Sequence, residues 1–542
     1  MCDPAVGSGA FPVGMMNEIV QARNILSVYL GDGDRNDYEF KRRCIEHSLY
    51  GVDIDPGAVE IAKLRLWLSL VVDEEDIKNI KPLPNLDYKI VCGNSLLGYP
   101  YMPKGLEYIE KLKDQYFNET RPVEKIKLRQ QIDKKLFDLF NNTEKSLGYK
   151  ISMDFKINFS EVFNNKGGFD VVIGNPPYGA DLTEQEKHYL NHLFAKNKSQ
   201  VKNSAIYFIY KANGLLHNSG INTYIVPKSL CYSMGWNRCA CFVLKGLQKL
   251  IDTGKAFEEV KLEQVIFVKT NDNQYSDYVN GIYNGYKVIE FTKVSKDIFK
   301  RSNVLLTGQT LEELNLIYSI IEKFNSKWGN YVSIVRGLNW QSKSTNKHNM
   351  AIPIYRGAQL SPYFLNKATD FIDISKFNKN EYTYQFKPKI LNQLAIAHVQ
   401  NPYPHFFLQA ALDLENKLVF ETISCTFVKN SSVSIKFLLA INNSKLFAWL
   451  LYKFVYSNAI RSTRYDEQYI AKVPCPNFET INQKPIIFKV DYILTITKDD
   501  DYLQNPEKQA KVKEYEKQID KMVYELYGLA DEEIKIVEGT AF

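Results

Sequence analysis

Little in this sequence would staple, anchor or strongly charge it. Its eight cysteines, Cys2, Cys44, Cys92, Cys231, Cys239, Cys241, Cys425 and Cys475, contain no C-x-x-C pair. The seven histidines do not combine with them at zinc spacing, so neither a disulfide framework nor a metal is expected. Cys239-Ala240-Cys241 reads as a packed pair in a reducing compartment. No apolar run is long enough to span a bilayer, and Met1-Cys2-Asp3-Pro4 is no basic, apolar leader. The expectation is a soluble, cytoplasmic protein with no membrane partner. Net charge is small, since 68 Lys and Arg against 62 Asp and Glu leave +6.

That charge is unevenly placed. Residues 335–490 carry 19 Lys and Arg against 9 Asp and Glu, or +10, so the remainder carries −4. A basic, aromatic-rich segment beside a slightly acidic one suggests a polyanion-binding module attached to a catalytic one, and a solvated basic surface is the plainer alternative. With 45% hydrophobic and 13% aromatic residues, global disorder is excluded. A length of 542 residues predicts about three or four domains.

The chain is organised around Asp170-Val171-Val172-Ile173-Gly174-Asn175-Pro176-Pro177-Tyr178-Gly179. A β-branched run reads as a strand covered on both faces. Two prolines, without N–H groups and with fixed φ, stop it from continuing as a central strand or a helix interior. The turn is therefore expected at the carboxyl end of a strand, where open α/β sheets bind ligands. An Asn side-chain oxygen and a prolyl carbonyl can both accept hydrogen bonds from one amino group, and Tyr178 offers a face for a planar ring. Read from its residues, the stretch suits methylation of an amino group.

Upstream, Asp3-Pro4-Ala5-Val6-Gly7-Ser8-Gly9-Ala10-Phe11 puts an acid and two glycines before a helix expected through Met15 to Ala22. A lone G-x-G is weak evidence of a nucleotide site, and a tight βα turn is a fair alternative. Leu49-Tyr50-Gly51-Val52-Asp53-Ile54-Asp55-Pro56 then reads as a strand ending in acid. Asp55 suits an N-cap with Pro56 at the first helical position. Asp53 is placed to bind ribose hydroxyls. A third strand, Tyr88 to Cys92, leads to Gly93-Asn94-Ser95-Leu96-Leu97, where Asn94 can pair with a purine edge or serve as a turn residue. Residues 104–146 read as a helical insertion broken near Arg121-Pro122. A helix from Asn203, a strand over Gly220–Pro227 and a strand over Phe257–Val268 complete the α/β series.

Together these motifs resemble the adenine-amino DNA methyltransferases with the γ order of motifs, and most closely the methyltransferase part of type IIG restriction–modification enzymes. D-P-A-V-G-S-G-A-F, G-V-D-I-D-P, G-N-S-L-L-G and N-P-P-Y occur in that order, with a recognition region last. The resemblance implies a Rossmann-like fold that uses S-adenosylmethionine, followed by a mixed α+β target-recognition domain and a helical tail. Asp3, Ala5, Gly7 and Gly9 would line the cofactor's methionine side. Asp53 would hold its ribose, Ile54 would lie on the adenine ring, and Asn94 would sit near that ring's edge. Asn175 and Pro176, stiffened by Pro177, would orient the amino group of an adenine flipped from double-stranded DNA. Tyr178 and Phe257 would pack on that base.

Val6 stands where the family usually has Cys, and Asn94 replaces the commoner Asp. The chain opens at the first motif, so the resemblance implies an N-terminally truncated polypeptide whose upstream strand, nuclease and helical region are supplied separately or lost. Glu259-Val260-Lys261 superficially resembles a nuclease E-x-K, but it is read as part of the last methyltransferase motif.

Domains are expected at 1–305 (catalytic), 306–490 (DNA specificity) and 491–542 (helical). Gly337-Leu338-Asn339-Trp340, Tyr355-Arg356-Gly357-Ala358, Lys387-Pro388-Lys389-Ile390, Phe437–Leu451 with Asn442-Asn443-Ser444-Lys445-Leu446, and Tyr465–Pro474 resemble the TaqI-like specificity domain. Arg336, Arg356, Lys389, Arg461 and Arg464 are its candidate DNA contacts. A last helix is expected from Asn505-Pro506 to Gly528. The leading reading is a site-specific adenine-amino DNA methyltransferase of a restriction–modification or phage-defence system. The rivals are a methyltransferase on RNA or protein glutamine, and a DNA-binding specificity fragment without catalysis.

Overall fold

The structure, a computed structural model, describes residues 1–30, 36–72, 86–101, 103, 106–195, 203–257, 262–272, 275–344, 351–461 and 463–540. Glu259-Val260-Lys261, and with it part of the expected Phe257–Val268 strand, lies outside the described residues. Two compact units follow each other along the chain, Met1–Val279 and Asn280–Phe542. The division therefore precedes the expected 305/306 boundary, and residues 491–542 belong to the second unit. The reason for the latter is packing: the tail buries Val512, Ile519, Val523 and Tyr527, and the Tyr527 hydroxyl donates to the Pro474 carbonyl at 3.2 Å.

In the first unit, β1 (Cys2–Asp3), β2 (Tyr50–Asp53), β3 (Ile90–Cys92), β4 (Phe169–Gly174), β5 (Leu216–Pro227), β6 (Leu247–Gly254) and β7 (Gln264–Thr270) form a sheet. Their order is β3-β2-β1-β4-β5-β7-β6. Strands β1 to β5 pair in parallel, whereas β7 is antiparallel to both β5 and β6. The carboxyl ends of β1 to β6 and the start of β7 consequently share one edge. Val52, Val172, Val226, Val265 and Phe267 are fully buried, as expected for strands covered on both faces.

Three helices, α1 (Ala10–Leu30), α2 (Asp37–His47) and α3 (Pro56–Val71), supply one covering layer. Met16 and Val20 of α1 join Cys44 and Ile45 of α2 and Val59, Ala62, Leu66 and Leu70 of α3 in one core. Helix α3 starts where its sequence directs. The Asp55 carboxylate accepts from the Gly57 N–H at 2.9 Å, and Pro56 occupies the first turn, where a missing N–H costs nothing. The charged insertion forms α4 (Leu106–Asn118) and α5 (Pro122–Phe140). Leu112, Tyr116 and Ile132 pack with Tyr88 in one cluster, and Pro122 sets the break.

One region departs from expectation. The strand foreseen over Phe257–Val268 is β7, which begins only at Gln264, and Phe257 lies in the connection that leads to it from β6, a strand that was not foreseen. Leu247-Gln248-Lys249-Leu250-Ile251 has no strict alternation because both faces of β6 are largely covered, with Leu247, Leu250, Ile251 and Asp252 all buried.

In the second unit, strands Val332–Arg336, Ile423–Val428, Lys389–Gln393 and Ala410–Asp413 make an antiparallel sheet in that order. Strand Ile352–Tyr355 pairs with Asp370–Ile372 and Leu418–Val419 in a second sheet. Helices Leu311–Lys323, Ile435–Asn443, Lys445–Leu450, Lys484–Thr497 and Pro506–Tyr527 complete it. Asn505 caps the last of these, and Gly528 ends it at φ +64°, a conformation that favours glycine. Among the described residues no helix is long and apolar enough to cross a membrane.

Candidate active site

The sheet's carboxyl edge gathers every motif of the amino-terminal half. After β1 the chain turns through Gly7 (φ +51°) and Gly9 (φ +83°) into α1. At Gly9 a Cβ would lie 3.0 Å from the Ala62 backbone, so this loop packs directly on α3. Asp53, at the end of β2, holds the loop in place. Its Oδ2 accepts from the Gly7 N–H at 2.8 Å, and its Oδ1 from the Asp55 N–H at 3.0 Å. Each oxygen keeps a second lone pair for a ligand hydroxyl. Ile54 beside it is 70% exposed, an apolar surface of the kind an aromatic ring covers. Asn94 follows β3; its Oδ1 accepts from the Leu96 N–H at 3.0 Å and its own N–H donates to Ser152 Oγ at 3.0 Å. Ala5, Gly7, Asp53, Ile54 and Asn94 thus meet at one edge, on consecutive strands β1, β2 and β3.

Asp3 requires a correction. It was expected to line a ligand, yet it is fully buried. Its Oδ1 accepts from the Ala5 N–H at 2.9 Å, while Oδ2 is buried with no hydrogen-bond partner among the described residues. Burial pushes its carboxyl up to about 7, aided by the negative charge of Asp53 and opposed by the Ala5 hydrogen bond. Asp3 shapes the loop from beneath. It also explains Gly174, where a Cβ would sit 2.6 Å from Asp3 Oδ1 and 3.4 Å from the Tyr224 ring.

Strand β4 ends at Gly174 and delivers the Asn-Pro-Pro-Tyr turn to the same edge. Asn175 is exposed, Pro176 is buried and Tyr178 is half-buried. The Tyr178 hydroxyl lies 3.1 Å from Asn175 Oδ1 and 3.4 Å from the Ile225 carbonyl. Burial raises its pKa to about 12, so the hydroxyl stays protonated and donates. Ser204, the first residue of the helix Ser204–Leu215, fixes the far side. Its Oγ donates to the Pro177 carbonyl at 2.5 Å and accepts from the Ala180 N–H at 3.0 Å. Tyr224 and Ser204 were both missed because their partners are distant in sequence. Phe257 lies in the β6–β7 connection and is 40% exposed, at the edge where β5 ends.

The candidate polyanion contacts of the second unit fare unevenly. Lys389 is a second correction. Its side chain is fully buried and pairs with equally buried Asp413 at 2.5 Å, across the register of two adjacent strands. It is a core strut and cannot reach a ligand. Arg336 makes a two-pronged pair with Asp466 at 2.7 and 2.5 Å. Arg356 does the same with Asp370 at 2.9 and 2.8 Å and lies 4.6 Å from the Phe420 ring centre. Arg461 and Arg464 are exposed.

Residues 47–257 match the Eco57I restriction-modification methylase family. The chain is 28% identical over 332 residues, 46% of its length, to RM.MjaORFECS2P of Methanocaldococcus jannaschii, assigned as a type II restriction enzyme and methyltransferase. It is 25% identical over 375 residues, 64% of its length, to the type II restriction enzyme and methyltransferase RM.Eco57I of Escherichia coli. These matches cover 28% and 32% of the two relatives, so the chain spans about a third of their length. Among solved structures, the type IIL restriction-modification enzyme MmeI in complex with DNA superposes with a TM-score of 0.60 at 12% identity. That superposition covers all of this chain and 72% of MmeI. The resemblance to restriction–modification methyltransferases drawn from the motifs is borne out.

Proposed function

We propose that this chain is a site-specific DNA methyltransferase that uses S-adenosylmethionine to methylate the exocyclic amino group of an adenine flipped out of the duplex, in a cytoplasmic restriction–modification or phage-defence system. One observation carries the reading. The Asn175–Tyr178 turn shares an edge with the glycine loop, Asp53 and Ile54, on adjacent parallel strands. An amino acceptor site beside a nucleoside-type site is what methyl transfer to a base requires. The strand order β3-β2-β1-β4-β5-β7-β6 with antiparallel β7 supports a Rossmann-like methyltransferase fold for the first unit. The basic, mixed α+β second unit supports target recognition, with Arg461 and Arg464 as its candidate DNA contacts.

The residues fit the cofactor. Gly7 and Gly9 present backbone without side chains, Asp53 retains acceptor capacity for ribose hydroxyls, and exposed Ile54 suits the adenine face. Bound there, S-adenosylmethionine supplies an electrophilic methyl on a sulfonium. Asn175 Oδ1 and the Pro176 carbonyl accept the two hydrogens of the target amino group and so localise its lone pair toward that methyl. Tyr178 and Phe257 hold the flipped ring between them. The turn's two prolines and the Ser204 clasp fix these acceptors before the base arrives, and such preorganisation is worth most where charge develops.

Tritiated S-adenosylmethionine, duplex DNA and the purified chain test the proposal, with Asn175→Ala as control. Label in adenine that falls about 100-fold or more in Asn175→Ala is the expected outcome. Label in cytosine, RNA or protein would overturn the assigned substrate. Salt-sensitive DNA binding without any label would leave a specificity fragment.

A further inference from the structure

Three charged side chains are buried together at the carboxyl edge, and the chemistry above uses none of them. Lys228 immediately follows β5; its Nζ lies 2.5 Å from Asp252 Oδ2 and 3.7 Å from Glu263 Oε1. The three side chains are 2%, 10% and 6% exposed. We propose that the Lys228–Asp252–Glu263 cluster is a positioning brace that fixes Phe257 relative to the Asn175–Tyr178 turn, and so sets how the target base is held. The inference rests on reading Phe257 as one of the two aromatic residues that pack on that base.

Topology makes the brace. Phe257 sits in the connection between β6 and β7, and the cluster grips both ends of that connection. Asp252 stands near the end of β6, and Glu263 immediately precedes β7. The Lys228 N–H also donates to the Glu263 carbonyl at 2.8 Å. Register places Pro227 and Gly254 both opposite Gln264, so the three strand ends meet at one level. The near end is pinned further: Asp252 Oδ1 accepts from the Gly254 N–H at 2.9 Å, where φ is +55°. Thr253 Oγ1 donates to the Gln264 carbonyl at 2.9 Å, and Gln264 Oε1 accepts from the Ala256 N–H, next to Phe257, at 2.9 Å. On the other side, Lys228 lies three residues beyond Ile225, whose carbonyl faces the Tyr178 hydroxyl. One amine therefore joins the strand that contacts Tyr178 to the connection that carries Phe257.

Energetics favours this role over a purely stabilising one. A buried ion cluster recovers little more than its desolvation cost, and apolar residues of similar volume often stabilise as well or better. What charges add is a defined geometry. Burial pulls the Lys228 pKa down, but the two carboxylates push it up by more, so the ammonium persists. The Lys389–Asp413 pair makes a contrast, since it closes a single cross-strand register within a sheet.

Lys228→Met and the milder Glu263→Gln, which leaves the Lys228–Asp252 pair balanced, test the brace in the full chain. Three quantities are read: S-adenosylmethionine affinity, 2-aminopurine fluorescence in a substituted duplex, and single-turnover methyl transfer. Lys228→Met is expected to lower transfer about tenfold or more and to weaken the flipped-base signal. Glu263→Gln is expected to do so by a smaller factor, and cofactor affinity stays within about twofold in both, because the cofactor loop lies on β1 and β2. Wild-type transfer and fluorescence in a folded Lys228→Met would overturn the proposal. So would parallel loss of cofactor binding in Glu263→Gln, which would assign the cluster to general folding. If the wild-type chain neither binds cofactor nor flips a base, the methyltransferase reading fails and the brace is read from Phe257→Trp emission against the parent chain. A red shift on adding Glu263→Gln or Lys228→Met supports the brace, and unchanged spectra refute it.

Discussion

Replacing Asp3 by Asn should change how stability depends on pH, and the size of the change follows from burial. The Asp3 carboxyl is fully buried and raised from 3.8 to about 7, first by desolvation and then by Asp53, against the Ala5 N–H. An acid whose folded pKa exceeds its unfolded value binds protons more tightly when folded. Its contribution is therefore neutral below pH 4 and turns destabilising as pH rises through the window between the two values, reaching its full cost above the folded pKa. Between pH 5 and pH 8 the wild-type chain crosses roughly two pKa units of that window, a loss of about 3 kcal/mol. Asn keeps the Oδ1 acceptor for Ala5 and carries no charge. It puts an amide nitrogen where Oδ2 lacks a partner among the described residues, at a cost that does not vary with pH. Stability of wild type and Asp3→Asn, measured at both pH values by urea-dependent hydrogen exchange in peptides covering β1 and β4, isolates the first unit. The gap should move in favour of Asn by about 3 kcal/mol from pH 5 to pH 8. A gap constant to within about 0.5 kcal/mol would refute a buried, titrating carboxylate.

Other perturbations probe the remaining struts. Lys389→Met strands the buried Asp413 carboxylate and should cost about 3–5 kcal/mol in chemical denaturation, largely recovered by pairing it with Asp413→Leu. Ser204→Ala removes the clasp on the Pro177–Ala180 turn; it should lose about 1–2 kcal/mol of stability, and methyl transfer should slow with cofactor affinity unchanged. Gly174→Ala forces a methyl to within 2.6 Å of Asp3 Oδ1. It should lower the melting temperature in calorimetry, equivalent to about 1–3 kcal/mol, and an unaltered value would contradict the packing described.

Local rules made part of this fold legible. Asp55-Pro56 and Asn505-Pro506 mark helix starts by chemistry that acts within three residues, and both caps form. The prolines after Gly174 announce the end of β4 in the same way. What stayed hidden depends on partners far along the chain. Nothing beside Lys389 in sequence betrays Asp413, so a basic residue read as surface proved to be core. Asp3 looked like a ligand contact because motifs record proximity to a site and not exposure. Ser204 carries no local sign of reaching Pro177, 27 residues earlier. Strand β6 was missed because a strand covered on both faces loses the alternation by which half-buried strands are read.

The two-pronged pairs of the second unit change what its positive charge means. Counted along the chain, residues 335–490 carry +10, yet Arg336, Arg356 and Lys389 already hold Asp466, Asp370 and Asp413 as internal counterions. A polyanion displaces salt only through cations whose neighbours are dissolved ions, and each such cation adds about one unit to the slope of log affinity against log salt concentration. For these three the competing anion is tethered at fixed distance, so dilution cannot remove it. For the two arginines, exchange for a phosphate would be a rearrangement of the protein, with a cost independent of ionic strength, and Lys389 is out of reach altogether. The unit's electrostatic reach is accordingly set by fewer charges than its composition suggests.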